Sequence, residues 1–370
     1  MADKEALKRK LDDLEKEYSG TKYNKATNKH LGILRAKISE IKEQMDKKSS
    51  KKGQGFSVKK SGNATVCMVG FPNAGKSSTL RALTGVESKV ASYAFTTLDV
   101  IPGNLDYKGA KIQIFDLPGI VEEAHAGKGR GREIISVMRS ADLVLFIVDI
   151  NDPSGIIKLV EELKLAKIRI NAKRPSIRIE KKPSGGVTVS SAFGKVPPKD
   201  SIIGALNGHK IFNANVYLNG DCSEEEFEQF LSGQVMYINA VTAINKIDQK
   251  TDSEVKKIVD DVVKRTGIKT VPISAEHFIN IDALKEAIFT SLGLVRIYLR
   301  PKGGSTDFEK PLVVDEGETV LDAAKKLNSK TAKDAICAYV TGPSAKFKAQ
   351  RMGLEHVLMD GDVVTLVYRK

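Results

Sequence analysis

The octapeptide Gly70-Phe71-Pro72-Asn73-Ala74-Gly75-Lys76-Ser77 fits the pattern G-x-x-x-x-G-K-[ST], and its flanks fix what can surround it. Thr65 to Val69 reads as a buried strand, and Ser78 to Leu83 can open a helix. The two glycines let backbone N–H groups turn inward as an anion nest, and the helix start adds partial positive charge. Asn73, Ala74, Gly75, Lys76, Ser77 and Ser78 then line a bound triphosphate. Lys76 reaches its β- and γ-phosphates, and the Ser77 hydroxyl ligates Mg²⁺.

From about residue 63 the pattern alternates strand and helix, which predicts an α/β fold with a mostly parallel sheet covered on both faces. Strand candidates are 65–69, 111–115, 143–149, 240–244 and 270–274. One crossover after Asp149 needs about 30 residues. The next strand signal ends at Asn245, 96 residues later. The surplus of roughly 60 residues implies a small inserted α/β domain within 168–236 of the nucleotide-binding domain, 63–293. Arg174-Pro175, Lys181-Lys182-Pro183, Gly185-Gly186 and Pro197-Pro198 punctuate β-like runs at 186–191 and 211–218. Ser223 to Glu226 reads as a capping box opening a helix over 224–232. Beyond Leu292-Gly293, strands at 295–299, 338–340 and 363–368 and a helix over 319–327 describe a small α+β domain, 294–370. At the other end, Leu7, Leu11, Leu14 and Tyr18, then Leu31, Leu34, Ile38, Ile41 and Met45, alternate spacings of three and four. They predict a helical hairpin, with its linker spanning 1–62.

Four more signals fall in the order a guanine nucleotide switch requires. Asp116-Leu117-Pro118-Gly119 lies 40 residues after Lys76 at a strand end. Its Asp can hold Mg²⁺ through water, and the Gly119 N–H can meet the γ-phosphate. Asn245-Lys246-Ile247-Asp248 decides the base. A carboxylate at 248 accepts guanine N1–H and N2–H₂ together, whereas adenine leaves it facing an unpaired acceptor. Asn245 and Lys246 hold this base loop against the phosphate loop, and Ser274-Ala275 suits a backbone N–H to guanine O6. Phe95-Thr96-Thr97 lies between the first helix and the next strand; Thr97, rather than Thr96, is the residue expected to close on Mg²⁺ and the γ-phosphate. Gly127 to Arg132 reads as a mobile glycine-rich switch loop with a basic edge.

Ile120 stands where many GTPases carry a water-orienting Gln. Slow intrinsic hydrolysis is expected, or a different device. One is K⁺ beside the phosphates with Asn73 as a ligand; the other reading is that Asn73 only braces the loop. The catalytic candidates are thus Lys76, Thr97, Gly119 and Asn73.

Composition narrows the setting. The longest apolar run, Leu143 to Val148, is far short of the ~20 residues that span a bilayer. The charged N-terminus lacks a signal-peptide segment, and Cys67, Cys222 and Cys337 form no C-x-x-C pair, so a cytoplasmic protein without a membrane partner is expected. Net charge is +13, and residues 1–62 hold 17 Lys and Arg against 9 Asp and Glu. That surplus fits either a polyanion such as RNA or a solvated helix face. No recognition helix stands out in 1–46, so specific DNA binding is not expected.

These residues resemble the translation-factor class of GTPases and, within its Obg-like group, the developmentally regulated GTP-binding family. The likeness covers nearly the whole chain. It is carried by Asn24 to Thr27 with His30-Leu31-Gly32, Gly70-Phe71-Pro72, Phe95 to Leu98, Tyr107 to Gln113, Asp116 to Ile120 and Gly127 to Arg132. Leu294 to Tyr298 and Asp360 to Val364 resemble a TGS domain, a ubiquitin-like β-grasp. The resemblance implies GTP and GDP as ligands with Mg²⁺, an insert related to a small ribosomal-protein fold, and ribosome or structured-RNA contacts through the TGS domain. The expected function is a GTP-hydrolysing switch acting on the ribosome or RNA, with room for a protein regulator. The competing readings are a GTP-gated binding module with incidental hydrolysis, and an ATPase, which Asp248 opposes.

Overall fold

Strands apolar at every position can be satisfied only inside a sheet covered on both faces. β1 (Ala64–Val69) is buried throughout and leads through the phosphate loop into α1 (Lys76–Thr84). β2 (Ala91–Ser92), β3 (Asp99–Tyr107), β4 (Ala110–Asp116), β5 (Leu143–Asp149) and α2 (Gly155–Leu165) follow. The computed structural model describes residues 11, 13–21, 30–34, 37–38, 41, 62–85, 91–92, 99–116, 138, 141–233, 235–301, 303–328 and 331–369.

The chain divides into two compact units, 1–55 with 167–237 and 56–166 with 238–370. In the first, β6 (Ile168–Ile170) precedes a three-stranded sheet of β7 (Ser176–Lys181), β8 (Val187–Phe193) and β9 (Ala214–Asn219), ordered β7-β9-β8. α3 (Lys199–Gly208) lies between β8 and β9 in the chain, and α4 (Glu224–Ser232) follows β9. The capping box at the start of α4 forms: Ser223 Oγ accepts from Glu226 N, and Glu226 Oε2 accepts from Ser223 N. Ile202, Leu206, Val216, Leu218 and Phe227 make the core of this unit.

The sequence reading separates the N-terminal segment from the insertion, but they form one compact unit. Residues 13–20 and 30–34 are helical, with Leu31 and Leu34 buried. Gly32 lies so close to α3 that a Cβ on it would sit 3.1 Å from Gly204 Cα and from the Ser201 carbonyl oxygen. Leu7 and Met45 lie outside the described residues.

In the second unit, β10 (Met236–Asn245), α5 (Asp252–Thr266), β11 (Lys269–Pro272) and α6 (Ile281–Ser291) complete the main sheet. Its order is β11-β10-β5-β1-β4-β3-β2. The first five strands are parallel, while β3 and β2 run antiparallel at the edge. β3 was not expected, because Pro102-Gly103 within it looks like a turn. The β3–β4 hairpin closes on Lys108 and Gly109, both at positive φ (51° and 81°), as a tight two-residue turn demands. Val66, Met68, Ile114, Leu145 and Ile147 pack against Leu80 and Leu83 of α1 and Leu284 and Ile288 of α6. Each side chain so buried contributes about 1.5–3 kcal/mol.

The C-terminal sheet joins β12 (Leu294–Leu299), β13 (Leu312–Asp315), β14 (Ala335–Thr341), β15 (Gln350–Met352) and β16 (Asp362–Tyr368) in the order β13-β12-β16-β14-β15. β12 and β16 are parallel, and α7 (Val320–Leu327) follows β13. This is the β-grasp arrangement the resemblance implies. It is tied to the nucleotide-binding domain where Glu316 N donates to the Gly293 carbonyl (2.7 Å) and where Pro311 lies against Gly109 of the β3–β4 turn. Among the described residues, no helix is long and apolar enough to cross a membrane.

Candidate nucleotide site

Parallel strands deliver their following loops to one sheet edge, the usual place for a ligand in an open α/β sheet. The phosphate loop follows β1, Asp116 ends β4, Asp149 ends β5, Asn245 ends β10 and Ser274 follows β11. Five loops far apart in sequence thus meet at one rim.

The phosphate loop is held from within and from outside. Lys76 Nζ donates to the carbonyls of Gly70 (2.9 Å) and Phe71 (3.1 Å), spanning the loop. Gly75 sits at φ 91°, and a Cβ there would overlap Asn245 Nδ2. Both the backbone angle and the close approach therefore require glycine. Asn73 takes a left-handed φ of 61° on the exposed part of the loop, Ala74 is buried, and Ser78 is half-buried in the first turn of α1.

Asn245, 3% exposed, is the clamp. Its Nδ2 donates to the Ala74 carbonyl (3.0 Å), and its Oδ1 accepts from the Ala275 N–H (3.0 Å). One side chain therefore binds the phosphate loop to the loop after β11. Of the Ser274-Ala275 backbone N–H groups expected at guanine O6, that of Ala275 is engaged by Asn245 and that of Ser274 by the Ile279 carbonyl in this structure. Ser274 is buried, and its Oγ accepts from the His277 N–H (3.3 Å).

Lys246 has a left-handed backbone (φ 67°) and donates to Asp149 Oδ2 at 2.7 Å. Asp149 Oδ1 accepts from the backbone and side chain of Asn151, whose Nδ2 also reaches Gln249 Oε1 at 2.7 Å. Burial pushes the Asp149 carboxyl up, but Lys246 and Asn151 outweigh it and hold it below the usual carboxylate range. Asp149 and Asn151 were missed in the sequence. A strand-end acid 97 residues before its lysine carries no local mark of the pairing. Asp248 lies in the short 3₁₀ turn Ile247–Gln249, with its Oδ2 3.9 Å from His277 Nε2.

Ser77 Oγ donates to Asp116 Oδ2 at 3.3 Å. Asp116 is 4% exposed, and its Oδ1 is buried without a hydrogen-bond partner. Burial raises the carboxyl above its ordinary value, more than the charge of Lys76 and the Ser77 hydroxyl lower it. A buried carboxylate oxygen with no partner, beside a hydroxyl, is a hard-oxygen donor set that fits Mg²⁺ shared with substrate phosphates. Phe95, Thr96, Thr97, Gly119, Ile120 and 127–132 lie outside the described residues.

The family model described as "50S ribosome-binding GTPase" matches residues 65–182. A model for the C-terminal region of that domain matches 184–294, and the TGS domain model matches 295–368. A GTP-binding protein of Methanocaldococcus jannaschii is 41% identical over 98% of this chain and 93% of its own. Developmentally-regulated GTP-binding protein 1 homolog of Dictyostelium discoideum is 39% identical over 98% of this chain and 99% of its own. Developmentally-regulated GTP-binding protein 2 of Homo sapiens is 38% identical over 97% of this chain and 98% of its own. A likeness of this identity spanning both chains almost end to end, with the GTPase and TGS models matched in order, makes this chain a GTPase of the developmentally regulated GTP-binding protein family.

Proposed function

We propose that this GTPase is a Mg²⁺-dependent switch of the cytoplasm that engages the ribosome or a structured RNA in its GTP form and releases it as GDP. The observation that carries the switch is the Asn245 clamp, because it couples the base loop, the phosphate loop and the end of β11 through two hydrogen bonds of one buried side chain. Asp248 selects guanine by accepting from both donors on one edge of the base. Lys76 binds the β- and γ-phosphates, and Ser77, Thr97 and Asp116 hold Mg²⁺, the bound ion offsetting charge on the phosphate oxygens. The Gly119 N–H and the N–H groups of Asn73 to Ser78 orient the γ-phosphate.

No residue of this set takes a proton from water, and Ile120 cannot orient one, so intrinsic turnover is slow. Asn73 is the candidate ligand for K⁺; equal turnover in K⁺ and Na⁺ would remove that role.

The description of the family model that matches 65–182 and the net charge of +13 support a ribosomal or RNA partner. Multiple-turnover GTP hydrolysis with and without ribosomes tests the reading. Stimulation is expected, and unchanged turnover would leave hydrolysis incidental to binding.

A further inference from the structure

In the inserted domain, among the described residues, helices cover one face of the sheet. Ile177, Ile179, Val187, Val189, Val216 and Leu218 point to α3 and α4. By the two-residue period of a strand, their neighbours form the opposite face. Register sets that face in three rows: Glu180-Asn215-Thr188, Arg178-Tyr217-Ser190 and Ser176-Asn219-Phe193. The irregularity between Ser191 and Phe193 brings the phenyl ring into line with Asn219, and Phe193 is 68% exposed. Among the described residues of this unit, no other strand or helix packs on these rows.

Basic residues surround the sheet without being confined to the open face: Arg178 lies in its rows, whereas Arg169 pairs with Glu225 of α4 (3.6 Å) and Arg174 lies over the Phe230 ring. Between 167 and 199 nine residues are Lys or Arg, and Glu180 alone is acidic. The acids of the domain gather instead on α4, at Glu224, Glu225, Glu226 and Glu228. At the centre of the open face the Arg178 guanidinium lies over the Tyr217 ring, 6.0 Å from its centroid. Glu180 steadies both, pairing with Arg178 (2.5 Å) and accepting from Tyr217 Oη (3.4 Å). Lys182, at the start of the β7–β8 turn, donates to Thr188 Oγ1 (3.3 Å).

We propose that this open face docks single-stranded RNA. Tyr217 and Phe193 offer π-faces to unpaired bases, Arg178 and Lys182 of the β7–β8 connection meet the phosphates, and Ser190, Thr188 and Asn215 supply hydrogen bonds within reach of a 2′-hydroxyl. The face is polar between its two rings, so it does not suit an apolar protein partner. A duplex exposes no unstacked bases for Tyr217 to receive. The inference rests on the RNA reading above and deepens it by naming a surface.

The test uses the full chain, a labelled 12-nucleotide single-stranded RNA, and the DNA and duplex forms of the same sequence, read by fluorescence anisotropy. Tyr217→Ala is expected to weaken RNA binding about fivefold to a hundredfold, the range for loss of one stacked base. Tyr217→Phe restores binding, since the ring is kept. Arg178→Ala weakens it too and reduces the salt dependence. GDP affinity and the unfolding midpoint are measured alongside to show that each variant is folded. Equal RNA binding by the wild type, Tyr217→Ala and Arg178→Ala overturns this surface and leaves the wider RNA reading standing. Duplex bound as tightly as single strand, or Tyr217→Phe as weak as Tyr217→Ala, also overturns it. A wild type that binds neither the oligomer nor ribosomes removes the RNA reading and this inference together.

Discussion

The Asn245 side-chain amide donates to the Ala74 carbonyl across 3.0 Å, so the residue that closes β10 holds the loop that follows β1. Its other atom accepts from Ala275. Replacing Asn245 with Ala leaves a buried carbonyl and a buried N–H without this partner, at about 1–3 kcal/mol each. Asn245→Ala is expected to lower the unfolding free energy by about 2 kcal/mol and to weaken GTP and GDP binding alike, by about tenfold or more. Denaturant unfolding and nucleotide titration check this; loss of GTP binding alone would count against a clamp.

Asp116 pays for its position while Mg²⁺ is absent. Its folded carboxyl titrates above the ordinary value, so its favourable contribution is present at low pH and is lost as pH rises through the folded value. Above its ordinary value the burial of this carboxyl therefore destabilises the nucleotide-free protein. Asp116→Asn is expected to melt at the wild-type temperature or above without ligands, and to lose the extra stabilisation that Mg²⁺ adds in the presence of nucleotide. Calorimetry with and without Mg²⁺ reads both effects.

Asp149 fixes Lys246 and behaves in the opposite sense. Its folded carboxyl titrates below its ordinary value, so its stabilising contribution holds above that value and disappears as pH falls through the lower folded one. The pair is partly exposed, so Asp149→Ala is expected to cost on the order of 1 kcal/mol, about a fivefold rise in KM for GTP. Chemistry is not touched, so kcat stays. A double-mutant cycle with Lys246→Ala should be non-additive, and additive losses would show that the two side chains act apart.

The contact of β3 with α6 inside the nucleotide-binding domain, where Tyr107 Oη donates to Glu286 Oε2, has its own titration. Burial, and then the hydrogen bond to Glu286, push the Tyr107 phenol up to about 12. Its contribution is present below its ordinary value of 10 and is lost as pH rises through about 12. Ultraviolet difference titration should show late tyrosine absorbance in the wild type, with Tyr237 raised by burial as well, and the difference from Tyr107→Phe isolates the step of Tyr107. In Glu286→Ala that tyrosine should titrate earlier, and an unchanged curve would assign the shift elsewhere.

The phosphate loop, Asp116 and Asn245 to Asp248 were legible as short motifs at strand ends, which apolar runs mark, and the structure brings them to one rim of the sheet. The insertion was legible from spacing alone, since one crossover cannot use the chain between Asp149 and Asn245. β3 was hidden because Pro102-Gly103 mimics a turn, although Gly103 lies in register with Ile114 as part of a ladder. The union of the N-terminal segment with the insertion was hidden for a different reason. It depends on a close approach of Gly32 to Gly204, and two glycines far apart in the chain signal nothing until the helices meet. The Asp149–Lys246 pair is likewise a product of strand order, with β5 and β10 adjacent and Asp149 beside Asn245 in register.

Co-sedimentation with ribosomes, in GTP or a non-hydrolysable analogue against GDP, tests the switch most directly. The wild type is expected to pellet with ribosomes in the triphosphate form and to stay in the supernatant with GDP. Equal distribution in both nucleotides would contradict it.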